Sequence, residues 1–150
     1  MGNDNYLTFI YDFGRPPSHH RTEVAHDLEQ SEIPSTRDGY AHFGVTGEHT
    51  LTVAIAKVDR AIVWCRDNQI RRLVVDIREV TGFPNPSVTE RFGYITRWAE
   101  SSRGQVVVAM IAPDHLIDPQ KIGVTIAKNR GFTAEVFTDE ESAVAWVRSI

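Results

Sequence analysis

Apolar and polar positions alternate with two different periods along the chain, and these periods separate strands from helices. Apolar residues occupy every second position, or form short unbroken runs, in five segments that are typical of strands: residues 6–13, 40–46, 73–77, 105–112 and 132–137. Between the later segments the apolar residues recur at steps of three and four, which predicts amphipathic helices. The predicted order of elements is therefore β-β-α-β-α-β-α-β-α.

Proline and glycine help to mark the limits of the first two predicted helices. The first helix runs from Leu51 to about Asn68, and its apolar stripe includes Cys65. The second begins after Pro86 and stops near Gly104. Proline suits the first turn of a helix and glycine suits the position just after its end, so these limits agree with the periodic pattern.

The last two predicted helices each begin with a capping signal. Asp118-Pro119 predicts the start of the third helix, because Asp suits the N-cap and Pro suits the first helical position. The final helix covers residues 139–149. Thr138 and Glu141 have the spacing of a capping box, which would satisfy two backbone amides at its start.

Strands that alternate with helices are joined by right-handed crossovers and are therefore mostly parallel. The predicted fold class is a single α/β domain over residues 1–150, with a mixed, mostly parallel five-stranded sheet and four helices. The first two strands have no clear helix between them and are expected to form an antiparallel edge. Residues 14–39 contain Pro16-Pro17 and are predicted to be an irregular insertion or arm, within which a short helix and a strand both stay open.

Composition and charge narrow the classes of function. Hydrophobic residues make up 41% of the chain and charged residues 24%, as in an ordinary globular protein. The net charge is −4 and the basic residues are scattered, so the basic stripe of a nucleic-acid-binding protein is missing. The longest apolar run is too short to cross a bilayer, and the chain does not start with a signal-peptide pattern. We expect a cytoplasmic protein without a transmembrane segment.

Cys65 is the single cysteine of the chain. An internal disulfide and a cysteine-based zinc site are therefore excluded. Because Cys65 falls on the apolar stripe of the first helix, we predict an inert core thiol rather than a nucleophile.

Three stretches carry a resemblance to a known family. They are GVTGEHT before the first helix, RRLVVDIREVTGF at the central strand and GFTAEVFTDEESAVAWV at the close. Together with the order of elements, they resemble the STAS domain, the fold of anti-sigma-factor antagonists and sulfate-transporter tails. The resemblance is greatest to the SpoIIAA-like branch, which is grouped with Sec14-type lipid-binding folds, and it covers about residues 40–150. It implies binding or signalling rather than catalysis, so we expect no catalytic residue, no cofactor and no metal.

The resemblance also implies where a regulatory hydroxyl would lie. Antagonist-type members carry a phosphorylatable Ser in a DSSG-like turn at the start of the helix after the central strand. Asp76 matches the strand-end Asp, but the following turn is GFPNPSV and lacks the Asp-Ser pair, so the switch does not transfer as it stands. Ser87 is the nearest hydroxyl and the candidate phosphoacceptor. Ser87 and Glu90 also have the spacing of a capping box, and we favour capping as the reason for this polar turn.

Parallel strands place their carboxyl ends along one edge of the sheet, which we call the rim, and α/β proteins bind ligands at such edges. Polar residues that follow the predicted strands are expected to gather there. They are Thr46, Asp76, Arg78, Thr81, Ser87, Thr89, Asp114 and His115. Helix N-termini at the rim attract anions. We therefore predict recognition of a partner protein or a small anionic ligand at this surface.

Two functions of other classes stay open. A small hydrolase or transferase would join Asp76, Asp114 and His115 in one pocket for acid–base chemistry. The chain has no glycine-rich phosphate loop, no HExxH and no GxSxG to support a common enzyme class. A Sec14-like carrier would need an apolar cavity large enough for an acyl chain, lined by Phe83, Phe92 and Trp98.

The 14–39 segment raises two further hypotheses. His19, His20, His26 and Asp27 offer metal-ligand chemistry, although adjacent histidines rarely point the same way and the spacing of a structural zinc site is missing. We therefore favour no metal there. The arm could instead order itself in a homodimer.

Overall fold

A five-stranded sheet forms the centre of the protein in a computed structural model, which describes residues 33–150. The strands in chain order are β1 (Ser35–Arg37), β2 (Tyr40–Gly44), β3 (Gly47–Glu48), β4 (Arg72–Asp76), β5 (Val80–Thr81), β6 (Val107–Ile111) and β7 (Ala134–Phe137). The main sheet has the order β1-β2-β4-β6-β7, and β3 pairs with β5 in a separate two-stranded sheet. Strand β1 is antiparallel to β2, and the other neighbours of the main sheet are parallel. This confirms the predicted mixed, mostly parallel five-stranded sheet.

Four α-helices are present in the described part of the chain, as predicted. They are α1 (Leu51–Asp67), α2 (Val88–Ser102), α3 (Ile122–Asn129) and α4 (Glu140–Ser149). A short 3-10 turn, Asp114–Leu116, follows β6. None of the helices in residues 33–150 is long and apolar enough to cross a membrane.

The edge of the sheet differs from the prediction at one place. Residues 35–37, which were assigned to the irregular 14–39 arm, form strand β1 and pair with β2. The connection is a tight hairpin through Asp38-Gly39, in which Gly39 has a φ of 87°, a backbone conformation that glycine accepts readily. The predicted strand over residues 6–13, the rest of the arm and the histidines at positions 19, 20 and 26 lie outside the described residues.

The predicted caps of the last two helices were wrong. Helix α3 begins at Ile122 rather than at Asp118-Pro119, because the Asp118 carboxylate accepts the amides of both Gln120 (3.0 Å) and Ile122 (3.1 Å) and closes a turn before the helix. Helix α4 is capped by Asp139 rather than by a Thr138–Glu141 box. The Asp139 carboxylate accepts the amide of Ser142 at 2.7 Å, which satisfies the third amide of the helix.

Helices cover both faces of the sheet, so its central strands contribute to two cores. Leu73 and Val75 of β4 pack with α1, α2 and α3, whereas Val74 between them packs with α4 through Ala143 and Val147. All five side chains are fully buried. Because both faces are covered, a central parallel strand must be apolar at successive positions, and this explains its unbroken apolar run.

Candidate functional site

The rim exists as a continuous edge at the carboxyl ends of the parallel strands. Backbone hydrogen bonds beyond the strand ends join its loops: the Val45 N–H donates to the Asp76 carbonyl at 3.0 Å, and the Ile77 N–H donates to the Ile111 carbonyl at 2.8 Å. The loops after β2, β4 and β6 therefore lie side by side. The side chains that we predicted at the rim nevertheless fall into separate groups.

Asp76 and Arg78 form a bidentate ion pair at the end of β4. The guanidinium donates from Nε to Oδ1 at 3.0 Å and from Nη2 to Oδ2 at 2.7 Å. The backbone N–H of Arg78 adds a third hydrogen bond to Oδ1 at 3.0 Å. Charge-assisted pairs with two parallel hydrogen bonds are among the strongest in proteins, so Asp76 is held firmly in place.

Three further charged or titratable side chains surround this pair on the face of the sheet that α4 covers. Ligand-type atoms of His42, Asp76 and Glu140 all lie within 4.8 Å of one another. Glu140 is also 3.8 Å from Arg78 and 3.9 Å from Arg37. We call these five residues the charged network. It joins β1, β2, β4 and the first turn of α4.

Three pKa values in the charged network are shifted by their surroundings, and that of Arg78 is raised by its hydrogen bonds to Asp76. Burial by itself raises the pKa of Asp76, but the hydrogen bonds and the positive charge of Arg78 outweigh it, and the pKa is lowered. Burial is the main cause that lowers the pKa of His42, with help from Arg37 and against the opposing charges of Glu140 and Asp76. The network thus favours an ionised carboxylate and a neutral imidazole.

An imidazole beside two carboxylates could in principle hold a divalent metal such as zinc. Here Arg78 already occupies both oxygens of Asp76 and approaches Glu140. A metal would have to displace that guanidinium. We therefore interpret the network as a structural ion-pair cluster that fastens α4 to the sheet.

Thr46 and Thr81 lie in a second group, at the small β3–β5 sheet. The Thr81 carbonyl accepts the backbone N–H of His49 at 2.8 Å, and Nε2 of the His49 imidazole donates to the Thr46 carbonyl at 2.8 Å. Gly82 follows with a φ of 111°. A Cβ at this position would lie 2.9 Å from the backbone nitrogen of His49 and closer still to the His49 carbonyl oxygen. Glycine therefore permits the contact that holds these two loops together.

Ser87 and Thr89 lie at the start of α2, in the turn that the sequence marked as polar. The Ser87 hydroxyl accepts the Glu90 amide at 3.1 Å, and the Glu90 carboxylate accepts the Ser87 amide at 2.8 Å. The predicted capping box is confirmed. The side-chain oxygen of the nearby Asn85 accepts from the Arg91 guanidinium at 3.1 Å. Thr89 is exposed in the first turn.

Asp114 and His115 lie in the 3-10 turn after β6, and both are exposed. The apolar cavity described below is lined by neither of them, nor by Asp76. Asp76 is instead engaged by Arg78 on the α4 face. The hydrolase hypothesis, which needs these three side chains in one pocket, therefore gains no support from this cavity.

An apolar cavity of about 130 Å³ lies between α1, α2, α3 and the sheet, on the face opposite the charged network. Its lining includes Leu51, Ile55, Phe83, Tyr94, Trp98 and Met110. The Trp98 indole N–H donates to the Ile55 carbonyl at 3.2 Å, which satisfies this polar atom within the apolar wall. Phe83 and Trp98 thus lie where the carrier hypothesis predicted them. Phe92 does not, since its ring is 46% exposed and contacts the Arg130 guanidinium.

Cys65 is completely buried in the core between α1 and the sheet. Burial raises the pKa of its thiol to about 12. A thiol that stays protonated and inaccessible is not a nucleophile, in agreement with the predicted inert core residue.

Comparison with solved structures identifies the fold. The chain is similar to an anti-sigma factor antagonist from Mycobacterium paratuberculosis, with a TM-score of 0.51 and 18% identity over 77% of this chain and 91% of that chain. The fold is that of a STAS domain. Models of known protein families gave no match, and neither did the curated proteins. At 18% identity the similarity establishes the STAS fold but not a function.

Sequence reasoning missed three of the five residues of the charged network. Asp76 and Arg78 were among the predicted rim residues, whereas Arg37, His42 and Glu140 were not. His42 lies opposite Val74 in the parallel register of β2 and β4, on the same face as Asp76. Strand periodicity could have placed His42 on that face, but the position of Glu140 depends on how α4 packs.

Proposed function

We propose that this STAS-fold chain is a non-enzymatic regulatory module that binds a partner protein at the rim, through the outer face of the first two turns of α2. The fold similarity supports this proposal, because antagonism of an anti-sigma factor is a role directed at another protein. The surface that would be used is defined by residues of this chain.

Two large apolar side chains are exposed at the start of α2, and this observation carries the proposal. Val88 is 57% exposed and Phe92 is 46% exposed. Residues four apart in a helix are neighbours on one face, so the two form a common apolar surface directly after the Ser87 cap. Val53, in the first turn of α1, is also exposed at 43%. Exposed apolar residues with a polar border are typical of protein-binding surfaces, and aromatic residues are frequent anchors.

The polar residues around this surface support binding rather than catalysis. The carboxylate of Asp76 is committed to Arg78, and the Ser87 hydroxyl is committed to the helix cap. Within the eight rim residues predicted from the sequence, no acid or imidazole is hydrogen-bonded to a serine or threonine hydroxyl, the contact that would activate such a hydroxyl as a nucleophile. Beside them, the Ser142 hydroxyl donates to the Asp139 carboxylate at 3.0 Å, and that carboxylate caps α4.

Ser87 is the residue at which we propose that partner binding is regulated. A protein kinase would transfer the terminal phosphoryl group of ATP to its exposed hydroxyl oxygen. The phosphate would lie at the N-terminus of α2, where the helix dipole favours negative charge. It would also meet the Glu90 carboxylate, which is 2.8 Å from the Ser87 amide. We expect modification to release Glu90 from the capping box and to change the surface beside Val88.

The proposed surface can be tested with matched substitutions. Proteins captured from source-cell extract by the immobilised chain are identified, purified and titrated against the wild type, Val88→Ser, Phe92→Ser and the control Ile150→Ser. Ile150 is an apolar residue of similar exposure, 39%, at the end of the chain. We expect at least about tenfold weaker binding for both α2 variants and unchanged binding for the control, since apolar anchors dominate such interfaces. Equal affinity of all three variants for the purified partner would overturn the proposal.

A further inference from the structure

The apolar cavity between the sheet and helices α1 to α3 has the size of a small ligand. Its volume of about 130 Å³ is close to that of a dry apolar cavity of about 150 Å³, which is known to hold one benzene ring. Both the helices and the strands contribute apolar or aromatic side chains to the wall, including Ile55, Ile95, Trp98, Val108 and Met110. A single ring or a short aliphatic chain therefore fits the space.

The charged side chains of the cavity wall differ in what they contact. Lys121 is paired with Glu135 at 2.9 Å. The Asp118 carboxylate accepts two backbone amides at the turn before α3. These three side chains are thus already occupied by partners of opposite charge or by hydrogen-bond donors.

Arg91 is the exception among the charged residues of the wall. Its hydrogen bonds to Asn85 Oδ1 (3.1 Å) and to the Leu116 carbonyl (3.2 Å) go to neutral oxygens, and both use the same nitrogen, Nη2. Within residues 33–150 no carboxylate lies within ion-pair distance of this guanidinium. It also interacts with the phenol of Tyr94, another residue of the wall. A guanidinium has five N–H donors, so Arg91 can still receive an anion.

We propose that this cavity binds a small aromatic or short-chain aliphatic carboxylate, with its apolar body inside the cavity and its carboxylate paired with Arg91. The apolar wall supplies the hydrophobic contact and the guanidinium supplies one charged contact that fixes the orientation of the ligand. This inference is independent of the proposed protein-binding surface, because Val88 and Phe92 do not line the cavity.

Gly123 offers a way to fill the cavity without disturbing the fold. It lies in α3 and lines the cavity. A Cβ at this position would be 3.8 Å from the Ile95 side chain, which is an ordinary van der Waals distance. Gly123→Leu would direct a branched side chain into this space while raising helix propensity. Gly93→Leu is the matched control, because Gly93 is an exposed glycine of α2 with no atom within 4 Å of its added Cβ.

The experiment titrates benzoate, phenylacetate and hexanoate into the full chain and follows the Trp98 indole N–H by NMR. We expect a dissociation constant on the order of 1 mM or tighter for at least one probe, given the small number of ligand atoms. Gly123→Leu should weaken binding about tenfold or more, and Gly93→Leu should not change it. Thermal unfolding verifies that both variants are folded.

Arg91→Met separates the charge contact from the apolar contact. It should weaken carboxylate binding about tenfold and leave neutral benzyl alcohol unaffected, because a charge-assisted hydrogen bond contributes at that level. Arg97→Met, a change of the same type on the same helix and away from the cavity wall, is the control. The proposal is wrong if no probe moves the Trp98 signal at about 10 mM, or if Gly123→Leu and Arg91→Met bind as the wild type does. Binding of a long-chain fatty acid without binding of the short carboxylates would also overturn it.

Discussion

The two faces of the central sheet differ in how their charged side chains are paired. On the α4 face, the charged network of Arg37, His42, Asp76, Arg78 and Glu140 places opposite charges within reach of one another. On the other face, the wall of the apolar cavity is mostly apolar. Its Lys121, Glu135 and Asp118 side chains have partners, whereas the hydrogen bonds of the Arg91 guanidinium go to neutral oxygens.

This difference indicates which polar residues stabilise the fold and which are available to bind a ligand. Buried or half-buried charges that are paired with one another hold the structure and have no capacity left for a ligand. In the cavity wall, Arg91 has no carboxylate partner among residues 33–150. Polar residues at the end of a parallel strand, such as Asp76, are therefore not in themselves a sign of a binding site. Whether such a residue belongs to a binding site depends on the groups to which it is already hydrogen-bonded or ion-paired.

The largest expected effect on stability comes from removing a tryptophan side chain, and doing so on each face of the sheet compares how the two faces are packed. Trp98 is 6% exposed and lies in the cavity wall, whereas Trp146 of α4 is only partly buried against Phe137. We expect Trp98→Ala to lower the free energy of unfolding by about 3–5 kcal/mol and Trp146→Ala by less than half as much. Urea denaturation of both variants measures the difference. Equal losses would show that the α4 face is packed as tightly as the cavity face.

A somewhat smaller effect is expected at the rim, where the two faces meet. Gly82→Ala combines an unfavourable positive φ with overlap against the His49 backbone. We expect a loss of about 3 kcal/mol. Gly104→Ala is the matched control, because Gly104 also has a positive φ, 69°, but open space around its Cβ. It should lose about 1–2 kcal/mol. If the two losses are equal, the close contact at the rim contributes nothing.

The charged network predicts a loss of stability in acid. The pKa of Asp76 is lower in the folded state than the ordinary value of 3.8, so its contribution is complete above that pH and is lost as the pH falls through the lowered value. The pKa of His42 is below the ordinary 6.5, so the unfolded chain takes up a proton first and stability falls as the pH drops below 6.5. Both losses act in the same direction.

Two substitutions resolve these steps. His42→Gln should flatten the decrease of stability just below pH 6.5, and Asp76→Asn should flatten the decrease that begins near pH 3.8. Denaturation midpoints measured across this pH range give both results. Rising stability of the wild type on acidification from pH 6.5 would contradict the assigned direction for His42.

Much of the fold could be predicted, because burial on both faces of the sheet produces a recognisable pattern of apolar residues in the sequence. Unbroken apolar runs such as residues 73–77 and three- and four-residue steps in the helices follow from the sheet being covered on both sides. The start of α2 was predicted because Ser87 and Glu90 bond only to each other's backbone. Such local signals do not depend on the rest of the fold.

The missed features depend on contacts that a linear pattern does not contain. The hairpin at Asp38-Gly39 had a local signal, an Asp-Gly pair before an apolar strand, that was not used. The starts of α3 and α4 depended on a choice between neighbouring polar residues that only backbone geometry resolves. The pairing of Glu140 with Arg78, and the cavity beside Arg91, exist only after the helices have packed.

The smallest expected effect compares the helix caps of the two faces. Ser87 caps α2 on the cavity face, and Asp139 caps α4 on the network face. We expect Ser87→Ala to lower the free energy of unfolding by about 1 kcal/mol, and Ser87→Thr to preserve most of it because threonine also caps. Asp139→Ala should lower stability at neutral pH.

The two caps should differ in their response to acid. Hydrogen bonds from the backbone and the side chain of Ser142 lower the pKa of Asp139, so its contribution is complete above the ordinary 3.8 and disappears as the pH falls through the lowered value. The Ser87 hydroxyl does not titrate in this range. The loss caused by Asp139→Ala should therefore vanish in acid, whereas that of Ser87→Ala should persist. Denaturation at pH 7 and near pH 2.5 distinguishes the two, and a Ser87→Ala loss that also vanishes in acid would contradict the assignment of the α2 cap to the Ser87 hydroxyl.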